Sequence, residues 1–83
     1  MKCMLMGLNN YDGIKTPTGN IDGVKLHWTN VDGNTFGHQA NNQMVQRNVF
    51  NGFGLTVKEV MDLIGTEVNI EFNPKGKICG FSA

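Results

Sequence analysis

One short stretch of helical periodicity sits in a chain otherwise patterned for strands, and it fixes the order of elements. Thr56-Val57-Lys58-Glu59 has the form of a capping box. The Thr56 hydroxyl can accept from the backbone N–H of Glu59, while the Glu59 carboxylate accepts from the N–H of Thr56. Val57, Val60, Met61 and Ile64 then recur at i, i+3, i+4 and i+7, one face of a 3.6-residue helix. Gly65 follows where a left-handed residue ends such a helix. The spacing predicts a helix over 55–64 with that stripe in the core.

The flanking segments alternate instead. Lys2 to Leu8 is a short apolar run broken by Gly7, which in a strand marks a bulge or sharp bend. Val24, Leu26 and Trp28 face one way and Lys25, His27 and Thr29 the other, and Met44 to Phe50 is strand-like with imperfect alternation. After the helix, Val68, Ile70 and Phe72 alternate with Glu67, Asn69 and Glu71. Asn73-Pro74-Lys75-Gly76 is a tight turn, and Lys77 to Phe81 returns as the second arm of an antiparallel hairpin. The order is that of a mainly β fold, a five-stranded OB-like antiparallel barrel with one short helix between strands 3 and 4. An SH3-like barrel or an open α+β sheet fits the same order. The expected core is Val24, Leu26, Trp28, Val57, Val60, Met61, Ile64, Val68, Ile70 and Phe72.

The connections read from turn chemistry. Thr16-Pro17-Thr18-Gly19-Asn20 is a loop by composition, and residues 32–43 form a long polar connection holding an isolated Phe36 and His38. Apolar-Asp-Gly triplets end at Gly13, Gly23 and Gly33. Asp-Gly is a favoured turn pair, and no calcium loop with alternating aspartates and a distal Glu is present, so turns or bulges are expected there.

The 83 residues, 1–83, make a single domain. A chain this short buries only about 60–65% of the surface its unfolded form exposes, so closure of the barrel or pairing into a homodimer is expected. Two cysteines, Cys3 and Cys79, do not define a disulfide framework. With no run resembling a signal peptide and none near the roughly 20 apolar residues of a membrane span, a cytoplasmic protein without membrane contact is expected. Seven basic residues balance seven acidic ones, which weighs against an unselective polyanion binder.

Catalytic and metal chemistry find little material. The single serine is Ser82, and no nucleophile sits beside a plausible histidine base, so an enzyme is not expected. Cys3, His27, His38 and Cys79 are suitable metal-ligand types without a recognised spacing, so no metal and no cofactor is expected. Nucleic-acid binding needs cations for phosphates and flat rings for bases, each stacked base being worth ~1–3 kcal/mol. Lys25 and His27 on the outward side of the second strand, Arg47 on the neighbouring run, Lys15, and Phe36 and His38 in the long connection are the candidate nucleic-acid-binding residues. Trp28 shares its register with Val24 and Leu26 and belongs to the core.

Gly65-Thr66-Glu67-Val68-Asn69-Ile70-Glu71-Phe72 and Gly76-Lys77-Ile78, about a third of the chain, resemble the small single-stranded-DNA-binding proteins of phages and mobile elements. These are similar to the filamentous-phage type, usually OB-fold dimers. The resemblance implies a barrel that binds single-stranded DNA or RNA as a homodimer. The competing expectation is a protein-interaction or accessory module of a phage or mobile element, with a protein partner and no nucleic-acid binding.

Overall fold

The computed structural model describes residues 2–30 and 40–83. It is mainly β. Five strands, β1 (Lys2–Thr16), β2 (Gly19–Asn30), β3 (Ala40–Gln46), β4 (Glu67–Phe72) and β5 (Ile78–Ser82), form one antiparallel sheet in the order β3-β2-β1-β4-β5. Two five-residue helices, α1 (Arg47–Asn51) and α2 (Val57–Met61), lie between β3 and β4. No helix among the described residues is long and apolar enough to cross a membrane.

β1 runs well past the expected Leu8. Its 15 residues would extend about 46 Å if straight, beside a 40 Å long axis of the molecule, and the strand is bent where its register slips. Two bulges provide the bend. The register against β2 slips between Leu5 and Gly7, as Gly7 suggested, and again between Tyr11 and Ile14, where Gly13 takes a φ of 66°. The first Asp-Gly pair is therefore a bulge. The second lies inside β2, where Gly23 is needed because a Cβ there would collide with the Val45 carbonyl oxygen of β3. The third lies outside the described residues. Pro17 and Thr18 alone form the turn between β1 and β2, tighter than the expected loop.

The alternation of β2 and β4 is kept. Val24, Leu26, Trp28, Val68 and Ile70 are buried, joined by Cys3 and Leu5 of β1, Val45 of β3 and Ile78 and Phe81 of β5. Trp28 packs against Phe72 with ring centroids 5.9 Å apart. The expected turn before β5 forms, with the Asn73 Oδ1 accepting from the N–H groups of Lys75 and Lys77 at 3.0 Å.

Further sequence expectations are corrected: residues 40–43 open β3 rather than ending the long connection, and two short helices stand where one was expected. Residues 47–50 leave the strand for α1, which sends Phe50 into the core. The capping box of α2 is present with both bonds, Glu59 N–H to Thr56 Oγ1 at 3.1 Å and Thr56 N–H to Glu59 Oε1 at 3.2 Å, but the helix ends at Met61 rather than Ile64. Gly65 does take the left-handed conformation, with φ 87°. Val60 is buried and Val57 packs on the core, whereas Met61 is 52% and Ile64 41% exposed. A helix of five residues presents barely more than one turn, so the stripe cannot stay in line, and Leu63 takes the inward place instead.

The two edges of the sheet, β3 and β5, are bridged by a side chain. Gln43 Nε2 donates to the Gly76 carbonyl at 3.0 Å, and Gln43 Oε1 accepts from the Ile78 N–H at 2.6 Å. No backbone ladder joins the two strands among the described residues. Ile70→Ala is expected to cost ~2–5 kcal/mol by denaturant unfolding. Met61→Ala should stay within ~0.5 kcal/mol of the parent, as for an exposed site.

Candidate nucleic-acid interface

Pairing decides which side chains share the outer surface. Because Val24, Leu26 and Trp28 point inward, Lys25 and His27 point outward, each half-buried. On β1, Asn9 stands opposite Lys25, Gly7 opposite His27 and Tyr11 opposite Gly23. On β3, Asn42, Met44 and Gln46 stand opposite His27, Lys25 and Gly23. Directly opposed residues lie on the same face, so Tyr11, Lys25 and His27 form one row along the β1–β2 ribbon. Four residue steps along β2, about 13 Å, lead from the Tyr11 pair to the His27 pair, with Lys25 midway.

A neighbour holds the His27 ring, and both rings remain partly exposed. His27 Nε2 and Asn9 Oδ1 share a hydrogen bond of 2.7 Å, in which the carboxamide oxygen accepts. The glycine opposite His27 adds no bulk, and a Cβ placed on Gly7 would meet nothing within 4 Å. Thr29, next in the outward series, is buried.

Arg47 does not join this row. Its Nε donates to Asp22 Oδ1 at 3.1 Å, and one terminal nitrogen donates to Asn10 Oδ1 at 2.6 Å and to the Tyr11 carbonyl at 3.1 Å. The guanidinium carbon lies 6.0 Å from the Phe50 ring centroid. Asn10 and Asp22 alternate with the outward residues of their strands, so this cluster lies on the other side of the ribbon. The side chain is only 24% exposed. Arg47 ties the start of α1 to β1 and β2 beside the second bulge, where the irregular ladder frees a carbonyl for it.

Lys15 is exposed near the ribbon tip, opposite Asn20, and its register places it on the side away from Lys25. Phe36 and His38 lie outside the described residues. Of the six candidates, the structure thus brings together Lys25 and His27, and it adds Tyr11 and Asn9. Sequence reasoning missed these two because it ended the first strand at Leu8. The period-2 series Gly7, Asn9, Tyr11 was the available signal.

Cys3 and Cys79 are not neighbours, since β4 lies between their strands. Cys3 is fully buried, and burial pushes its thiol above the usual range. Cys79 is exposed. No group of three His, Cys, Asp or Glu among the described residues is placed to hold a metal. A cleft of about 400 Å³ opens between β3 and β5, lined in part by Met44, Val49, Ile78 and Cys79, and it adjoins the row through Met44, which stands opposite Lys25. No protein-family model, curated protein or solved structure matches this chain.

Arg47→Ala should lower stability by roughly 1.5–3 kcal/mol, the worth of hydrogen bonds to a charged group. Lys25→Ala, with no such engagement, should change it by less than ~0.5 kcal/mol. Urea unfolding of both variants checks the contrast.

Proposed function

We propose that this chain is a non-catalytic single-stranded nucleic-acid-binding module whose contact surface is the outward face of β1, β2 and β3. The observation that carries this reading is the alignment of Tyr11, Lys25 and His27 on one accessible row. Flat rings at the two ends supply stacking surfaces, and the ammonium between them can meet a phosphate. Lys25 is the only formal charge among the residues that face each other across the row from Gly7 to Tyr11 and from Asn42 to Gln46. The carboxylates of Glu67 and Glu71 lie on β4, beyond β1, so a polyanion laid along the ribbon avoids them.

The same reading takes the sheet as an OB-like barrel in a cytoplasmic protein similar to those of phages and mobile elements. Supporting it, the Gln43 carboxamide bonds the backbone on either side of Lys77 with one donor and one acceptor. A strand running parallel to β5 would use its peptide groups in the same way. Gln43 therefore stands in for the ladder that would close β3 onto β5.

A second reading, a protein-interaction or accessory module, is favoured by the zero net charge and by exposed apolar side chains at Met6 and Ile64. Fluorescence anisotropy with labelled poly-dT separates the two. Binding is expected with a shallow salt slope, each neutralised phosphate of a single strand contributing about −0.7 to the logarithmic dependence. Tyr11→Ala should weaken affinity by about 5- to 150-fold, the loss of ~1–3 kcal/mol of stacking. Lys25→Glu should weaken it and flatten the slope further. A folded sample that fails to bind at low salt transfers the assignment to the protein-interaction reading.

A further inference from the structure

Five strands that alternate in direction leave the two edges of the sheet, β3 and β5, running the same way. No backbone ladder joins these edges among the described residues, and the Gln43 side chain spans the gap instead. A gap crossed by a side chain is wider than the about 4.8 Å of a laddered pair, and here it opens as the cleft of about 400 Å³. That volume lies in the range of small-molecule pockets. Val45 and Ile78 are buried in its walls, Met44 is half-buried and Val49 is 37% exposed, so the walls are largely apolar. Among the described residues that line it, Lys77 alone is charged; it is exposed and makes no ion pair with any of them. Two of the three lining carboxamides have committed their oxygens. Gln43 Oε1 accepts from the Ile78 N–H, and Asn73 Oδ1 accepts from the N–H groups of Lys75 and Lys77, which leaves Asn73 its amide nitrogen to offer. Of the carboxylates on adjoining strands, Asp22 pairs with Arg47 and Glu71 stands opposite Gly80, outside the lining.

We propose that this cleft is a binding site for a small amphipathic anion, a carboxylate, sulfonate or phosphate carried on an apolar body. The body packs against Met44, Val49 and Ile78, and the anionic head meets the Lys77 ammonium. Charge complementarity selects the head, because the one charge of the lining is positive and the Asn73 amide nitrogen beside it is a donor. Removing the apolar body from water supplies the rest of the affinity. The site does not rest on the nucleic-acid reading. It takes a separate molecule, although Met44 borders both surfaces.

Titration of the intact chain with anilinonaphthalene sulfonate, an aromatic sulfonate whose emission rises in apolar surroundings, tests it. Saturable enhancement is expected from the folded parent. Lys77→Glu should weaken the affinity by about fivefold, and Val49→Glu should abolish the enhancement by setting a carboxylate on an apolar wall. Met61→Ala, on exposed apolar surface outside the cleft, should leave it unchanged. Cys79 lines the cleft and is exposed while Cys3 is fully buried, so iodoacetamide reports on the cleft directly. Bound dye should slow alkylation of Cys79 severalfold in the parent, a readout that stands even where a variant misfolds. No enhancement from the folded parent overturns the proposal. So does enhancement that leaves Cys79 unprotected, or that survives both cleft variants, since the dye then binds elsewhere. Displacement of the dye by oligo-dT would give the cleft to the nucleic-acid surface and equally overturn a separate small-molecule site.

Discussion

A short seam of backbone pairing between β1 and β4 holds the molecule together. Three residues, Lys2, Cys3 and Met4, pair with Asn69, Val68 and Glu67, and the two bonds of Leu5 to Gly65 and Thr66 prolong the contact. On one side of the seam lies the β3-β2-β1 unit, on the other the β4–β5 hairpin. Cys3, Leu5 and Val68, all residues at this seam, are buried, so the backbone pairing runs through the apolar core. At the opposite edges the sheet relies on the side chain of Gln43. A small sheet with two five-residue helices has no second layer to cover it, and curling its apolar face onto itself is how it buries a core. The bulges in β1 make that curl, and α1 and α2 contribute Phe50 and Val60 to the enclosed side.

Curvature of this kind has a consequence for the outer surface. The inward side of β2 is committed to Val24, Leu26 and Trp28, which leaves Lys25 and His27 outward on a strand flanked by neighbours on both sides. Backbone paired on both sides is held more rigidly than a loop, and ring positions on it are set in advance. Arg47 adds to this from the other side of the ribbon by tying β1, β2 and α1 together beside the second bulge. Among the described residues the most strongly engaged cation is therefore a brace, while the less engaged Lys25 is left to meet a partner.

What the sequence made legible was whatever depends on local chemistry. The alternation of β2 and β4, the Thr56–Glu59 capping box, the left-handed Gly65 and the Asn73–Gly76 turn all follow from residue type and spacing. The length of β1 did not follow, because Asn9 to Ile14 has weak strand composition and is held in place by β2. Nor did α1, since Arg47-Asn48-Val49-Phe50 is too short to show a helical period and owes its shape to the burial of Phe50. The site was half legible for the same reason. Lys25 and His27 came from alternation within one strand, whereas Tyr11 joins them only through cross-strand register. Arg47 was misplaced because its ion pair with Asp22 spans 25 residues of sequence.

The most direct test of the central claim, that the outward face of the β1–β2–β3 unit is the contact surface, is a residue-resolved amide chemical-shift titration of the labelled protein with an unstructured oligo-dT. The account predicts that the largest shifts fall on Tyr11, Lys25 and His27 and on their partners Asn9, Asn42 and Met44, with Glu71 and the β5 residues unmoved. Shifts concentrated on β4 and β5, or no shifts at all from a folded protein, would contradict it.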